Sequence, residues 1–184
     1  MFDECGASAS PLGDLSDEEF MVWTGFLHSY AAVARGLDAD LQAIHGLPLT
    51  EFEILLWLSR KSCTRMRMAG LAEMVQLSPS GLSRAIERLE GRGLVRRDRC
   101  TEDRRGAFAV LTPRGSELVD RASATQAAGI KRRFLNHLTS EEMEMFGHAW
   151  ERVLAGNERS CVGTGDVLSG IASAECAPEE GDGS

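Results

Sequence analysis

Apolar positions along the first third of the chain keep a regular beat. From Phe20 they recur at Trp23, Leu27, Tyr30, Ala34, Leu37, Leu41 and Ile44, in alternating steps of three and four. That spacing lays one stripe along a long helix, in the manner of a coiled-coil seam. Ser16 followed by Glu19 fits a capping box and places the helix start. A stripe this long needs a partner, and the chain's own core accounts for about half of it. The other end of the chain has a matching pattern. Thr112-Pro113 opens a second long helical region, with proline at its first position. Thr139 and Glu142 form another capping box, followed by Met143, Phe146, Trp150, Val153 and Leu154 at helical spacing. Long helices from both termini therefore flank the middle of the chain, and their apolar faces predict a dimerisation layer.

The middle has a shorter rhythm. "LTEFEILLWLSR" reads as a helix with Thr50 and Glu53 as its capping box, and "MAGLAEMVQL" as a short second helix. A third, "SPSGLSRAIERLEGRGLV", has Ser78 as N-cap and Pro79 as first helical residue, and Gly91 and Gly93 end it. The gap between the second and third helices is that of a helix-turn-helix. "LVRRDR" and "AFAVLT" follow as strand-like runs around the charged loop "CTEDRRG".

Charge sharpens this picture. The chain of 184 residues has a formal net charge of −8. Residues 60–105 nevertheless carry twelve Lys/Arg against six Asp/Glu, a net of +6, which leaves −14 for the rest. A basic block within an acidic chain points to a local anionic partner, whereas a solvated charged face is the plainer alternative. On the third helix Leu82, Ala85, Ile86 and Leu89 share the inward face. Ser80, Arg84, Glu87 and Gly91 lie opposite, with Ser83 and Arg88 on the flanks. Short hydroxyl side chains beside one arginine suit close approach to a major groove, where a guanidinium can bond a guanine edge bidentately. Ser78 fits best as a cap that also leaves free N–H groups for a phosphate. Arg96, Arg97 and Arg99 lead into the hairpin, and Arg104 and Arg105 stand at its tip. Arginines there answer the narrow, negative minor groove. Asp103 is spaced to hold the Arg105 guanidinium extended.

Together these runs, "LSPSGLSRAIERLEGRGLVRRDRCTEDRRGAFAVLTPRG" from Leu77 to Gly115, resemble the winged-helix core of the MarR family of bacterial transcription regulators. The order of elements is similar from about residue 16 to 156. The resemblance implies a mainly α (α+β) fold, a winged helix-turn-helix with long N- and C-terminal dimerisation helices. It implies a homodimer on a pseudo-palindromic operator in double-stranded DNA, usually as a repressor. Arg84 would touch bases or neighbouring phosphates, and Arg105 would enter the minor groove steadied by Asp103. Family members often respond to small aromatic or phenolic molecules held between the dimer helices and the winged domain. Trp23, Tyr30, Trp57, Met66 and Met68 are the candidates for such a pocket, although apolar residues at helical spacing are also ordinary core. Some members sense oxidants through cysteine. Cys100, beside Arg99, is the candidate here, since positive charge lowers a thiol pKa.

The expected organisation is a flexible lead (1–14), a dimerisation region (15–46 and 112–157), a DNA-binding domain (47–111) and a disordered acidic, glycine-rich tail (158–184). Five scattered cysteines without a C-x-x-C pair argue against a disulfide framework or zinc site and suit a reducing cytoplasm. The four histidines are not at ligand spacing, so neither a metal nor a cofactor is expected. No apolar run approaches the ~18 residues of a membrane span. Gly-rich phosphate loops, G-x-S-x-G and HExxH are missing from the ordered region, which points away from an enzyme. Two rivals keep the same fold: a redox regulator acting through Cys100, and a winged helix that binds protein rather than DNA.

Overall fold

The computed structural model describes residues 12–60, 65–99 and 107–158. Helix α1 spans Asp17–His45, α2 Leu49–Leu58, α3 Met68–Met74, α4 Pro79–Gly91, α5 Pro113–Arg133 and α6 Ser140–Glu158. Strands β1 (Arg65–Arg67), β2 (Val95–Arg99) and β3 (Ala107–Leu111) form an antiparallel sheet in the order β1-β3-β2. Pairing of Val95 with Leu111 and Arg99 with Ala107 sets the register of the hairpin.

The helix starts follow local chemistry. Ser16 and Glu19 exchange both bonds of a capping box at α1, and Thr139 and Glu142 do so before α6. Ser78 Oγ accepts the Gly81 N–H at α4, and Thr112 Oγ1 accepts that of Gly115 at α5. Helix α2 departs from expectation. It begins at Leu49 with Pro48 as N-cap, and no side chain of its own caps it. The Leu49 N–H is taken instead by Asp38 Oδ1, 2.8 Å away on α1. An acceptor eleven residues upstream has displaced the Thr50–Glu53 pattern. The three-residue strand β1 was also not foreseen; it is too short for alternation to register.

The core lies where α2, α3, α4 and the sheet meet. Phe52, Ile54, Leu55, Leu58, Leu71, Leu82, Ile86 and Leu89 are fully buried there. Helix α5 closes it with Leu118, Val119 and Ala122, and α1 contributes Leu41. Only Leu37 and Leu41 of the long stripe on α1 are buried, while Trp23, Leu27, Tyr30 and Ile44 stay exposed. Phe26, which lies off the stripe, faces α6. The Phe26 and Trp150 rings lie 5.2 Å apart, Trp150 stacks on Phe146 at 5.9 Å, and Phe134 follows at 6.3 Å. Helices α1 and α5 approach closely at Gly36 and Gly129, where an added Cβ would collide with Arg133 and Leu37 respectively. Asp40 pairs there with Arg132 at 2.6 Å and with Arg133, and His45 Nε2 meets Thr125 Oγ1 at 2.8 Å.

Candidate nucleic-acid interface

Helices α3 and α4 are joined by a tight turn. Gln76 has φ 52°, a left-handed conformation that non-glycine residues seldom adopt. The Leu77 N–H returns to Ala72 O at 2.9 Å and the turn ends at the Ser78 cap. Buried Leu82, Ala85, Ile86 and Leu89 then fix the roll of α4. Ser78, Ser80, Arg84, Glu87 and Arg88 are exposed, and Ser83 is half-buried. Ser80 Oγ lies 3.2 Å from Ser78 Oγ, so the two hydroxyls occupy one patch at the helix start. Among the described residues, Arg84 has no ion-pair partner. The first two turns of α4 thus present two hydroxyls and the exposed Arg84 guanidinium to solvent, while the Gly81 and Leu82 N–H groups are taken by Ser78.

Two other expected arginines, Arg88 and Arg97, are engaged within the molecule. Arg88 Nε lies 2.6 Å from Glu51 Oε1, and Arg92 Nη1 lies 3.3 Å from Glu51 Oε2. Arg97 ties β2 to α4: its Nη2 donates to Ser83 O at 2.8 Å, and its backbone N–H donates to Glu90 Oε1 at 2.8 Å. Its Nε sits 3.1 Å from Glu90 Oε2 as an ion pair, and Glu87 is 3.7 Å from Nη2. Sequence reading could not foresee this, because the partners lie 7 to 41 residues away.

The hairpin follows α4 directly. Thr112 Oγ1 bonds Gly93 O at 2.8 Å and Leu94 O at 3.0 Å, fastening the end of β3 to the start of β2. On the sheet, the Arg65 guanidinium lies 4.0 Å from the Phe108 ring centre and that of Arg67 5.3 Å. These two cations join the basic surface through β1, and in the sequence nothing sets them apart from the rest of the basic block. The expected tip residues Asp103, Arg104 and Arg105, and the redox candidate Cys100, lie outside the described residues.

A cavity of about 750 Å³ opens between α1, α2 and the α3–α4 turn, lined by Tyr30, Thr50, Glu53, Leu56, Trp57, Ser59, Arg60 and residues 74–77. Two of the five pocket candidates, Tyr30 and Trp57, are there. The other three are not among its lining residues. Trp23 sits two turns up α1 against Phe26, and Met66 and Met68 pack on the core. Arg60 lies over the Trp57 ring at 4.6 Å. Glu53, half-buried in the wall, has its carboxyl pushed above the ordinary range by burial.

A tri-helical core, a tight turn into an exposed helix start and an adjoining antiparallel hairpin define a winged helix-turn-helix protein. Comparison with known proteins narrows this. The MarR family profile matches residues 47–106. The crystal structure of AbsC, a MarR family transcriptional regulator from Streptomyces coelicolor, superposes with a TM-score of 0.72 at 36% identity, covering 80% of this chain and 98% of that one. Sco3205, a MarR family regulator from the same organism solved in complex with DNA, has a TM-score of 0.72 at 32% identity, covering 77% and 89%. The HTH-type transcriptional repressor Mb2911 of Mycobacterium bovis is 32% identical over 127 residues, 69% of this chain and 89% of the relative. The chain belongs to the MarR family.

Proposed function

We infer that this chain is a DNA-binding transcriptional regulator that works as a homodimer on a pseudo-palindromic operator and represses until an effector binds. The observation that carries this reading is Arg84, without an ion-pair partner among the described residues, beside Ser80 and Ser83 on an exposed helix start whose opposite face is buried. Sco3205, a relative of the same fold, is solved in complex with DNA, and Mb2911 is named a repressor. The exposed apolar residues of α1 and α6, among them Trp23, Tyr30, Met145 and Val153, supply the surface that a second copy would cover. Two-fold symmetry then sets half-sites about 10 bp apart. Ser80, Ser83 and Arg84 read the major groove, Ser78 caps α4, and Arg104 and Arg105 of the wing enter the minor groove with Asp103 as support. Its relatives are regulators, and the cytoplasm is where such a protein meets its operator. None of the described helices is long and apolar enough to cross a membrane.

The test is selection of bound duplexes from a random pool by the purified full chain. A recovered palindrome, bound more weakly as salt rises, is the expected result, because phosphate contacts release counterions. No enrichment, or a flat salt response, overturns the reading. The cavity beside Trp57 favours an effector site for a small aromatic molecule. Competition of such molecules against the recovered operator checks it, and loss of the response in Trp57→Ala is expected.

A further inference from the structure

Glu51 is the one buried charged side chain among the described residues, 2% exposed. A buried carboxylate is costly unless it is paired and hydrogen-bonded. Here each oxygen meets a separate guanidinium: Arg88 through Oε1 at 2.6 Å and Arg92 through Oε2 at 3.3 Å. Arg88 lies in the last turn of α4 and Arg92 is its C-cap, four residues on and hence on the same side of the helix end. Glu51 itself sits in the first turn of α2, where the helix dipole favours a negative charge. The result is a two-point clamp between α2 and the C-terminal half of α4. Apolar contacts at Leu82, Ala85, Ile86 and Leu89 set how deep α4 lies, but they are non-directional. The clamp adds direction. It also holds two of the twelve cations of the basic block against an internal anion.

We propose that Glu51 is a positioning residue that sets sequence discrimination, fixing the angle at which α4 presents Ser80, Ser83 and Arg84 and withholding Arg88 and Arg92 from indiscriminate phosphate binding. This rests on the DNA-binding reading above. It makes an opposed pair of expectations for Glu51→Gln in the full chain. Affinity for a random-sequence duplex rises and its salt dependence steepens, because two released guanidiniums each add a phosphate contact worth about 0.9 in the log–log slope. The preference for the selected operator over that random duplex falls, by roughly tenfold, the scale of one mismatched base pair. Loss of packing alone would weaken both duplexes without steepening the slope.

The experiment measures binding of operator and random duplexes across a salt series for wild type, Glu51→Gln, and the triple variant Glu51→Gln/Arg88→Gln/Arg92→Gln, with circular dichroism to check folding. The triple variant carries no charge at the cluster, so it also serves if the single variant does not fold. Its random-duplex slope is expected to lie at or below that of wild type, with the operator preference still reduced. An unchanged slope in a folded Glu51→Gln, or an undiminished operator preference in either folded variant, overturns the role of Glu51 while leaving the regulator reading intact. A wild-type chain that binds no duplex overturns both.

Discussion

The Arg133 guanidinium lies across the bare α-carbon of Gly36, one helical turn from the Asp40 carboxylate that it grips. A Cβ at residue 36 would stand 2.1 Å from Arg133 Nε, so the ion pair depends on the missing side chain. The hydrogen bond from Arg133 holds the Asp40 carboxyl below its usual range. A carboxyl lowered on folding adds stability above its unfolded pKa and loses it as pH falls through the folded value. Gly36→Ala swings Arg133 aside. Urea midpoints measured from pH 6 down to pH 2 should therefore fall less steeply for the variant than for wild type.

Gly115 faces a harder constraint. Its Cβ would meet Leu94 O at 2.2 Å and Leu111 Cδ1 at 2.7 Å, and backbone cannot give way as a flexible side chain can. Gly115→Ala should therefore cost about 1–3 kcal/mol, the range for enforced overpacking at a buried junction. Equilibrium unfolding in urea checks this, and a loss under 0.5 kcal/mol would show that the α5 start can shift away from β2.

Glu53 carries the opposite sign to Asp40. Burial raises its carboxyl, so the folded state holds this proton more tightly than the unfolded chain does. Stability contributed by the protonated form is lost as pH climbs from the unfolded towards the folded value. Glu53→Gln should flatten that segment of the stability profile and leave the protein more stable than wild type at pH 7. Thermal melts at pH 4 and pH 7 decide it.

Arg84 has no ion-pair partner to lose among the described residues, so Arg84→Ala should leave the urea midpoint within about 0.5 kcal/mol. Operator affinity should drop by about 1–3 kcal/mol if the side chain bonds a base edge. Arg105→Ala should behave likewise through the wing. Titration of each variant against operator and random duplex separates the two roles. Equal binding by wild type and Arg105→Ala would remove the wing from the interface.

What the amino-acid order determined on its own was whatever depends on neighbours in the chain. The capping boxes at Ser16 and Thr139, the caps at Ser78 and Thr112, and the inward face of α4 all rest on groups within a turn or two. Such patterns survive translation into one dimension, and the family resemblance rests on the stretch from Leu77 to Gly115 that holds α4 and the caps at Ser78 and Thr112. Tertiary structure decided which charges are free. Arg84, Arg88 and Arg97 look alike in sequence, yet Glu51 holds the second and Ser83 with Glu90 the third. It likewise decided the start of α2 through Asp38 and set Phe26, off the regular stripe, against Trp150 of α6. Hydrogen bonds and ion pairs act over about 3–4 Å in space whatever the separation along the chain, so periodicity can place a side chain on a face but cannot name its partner.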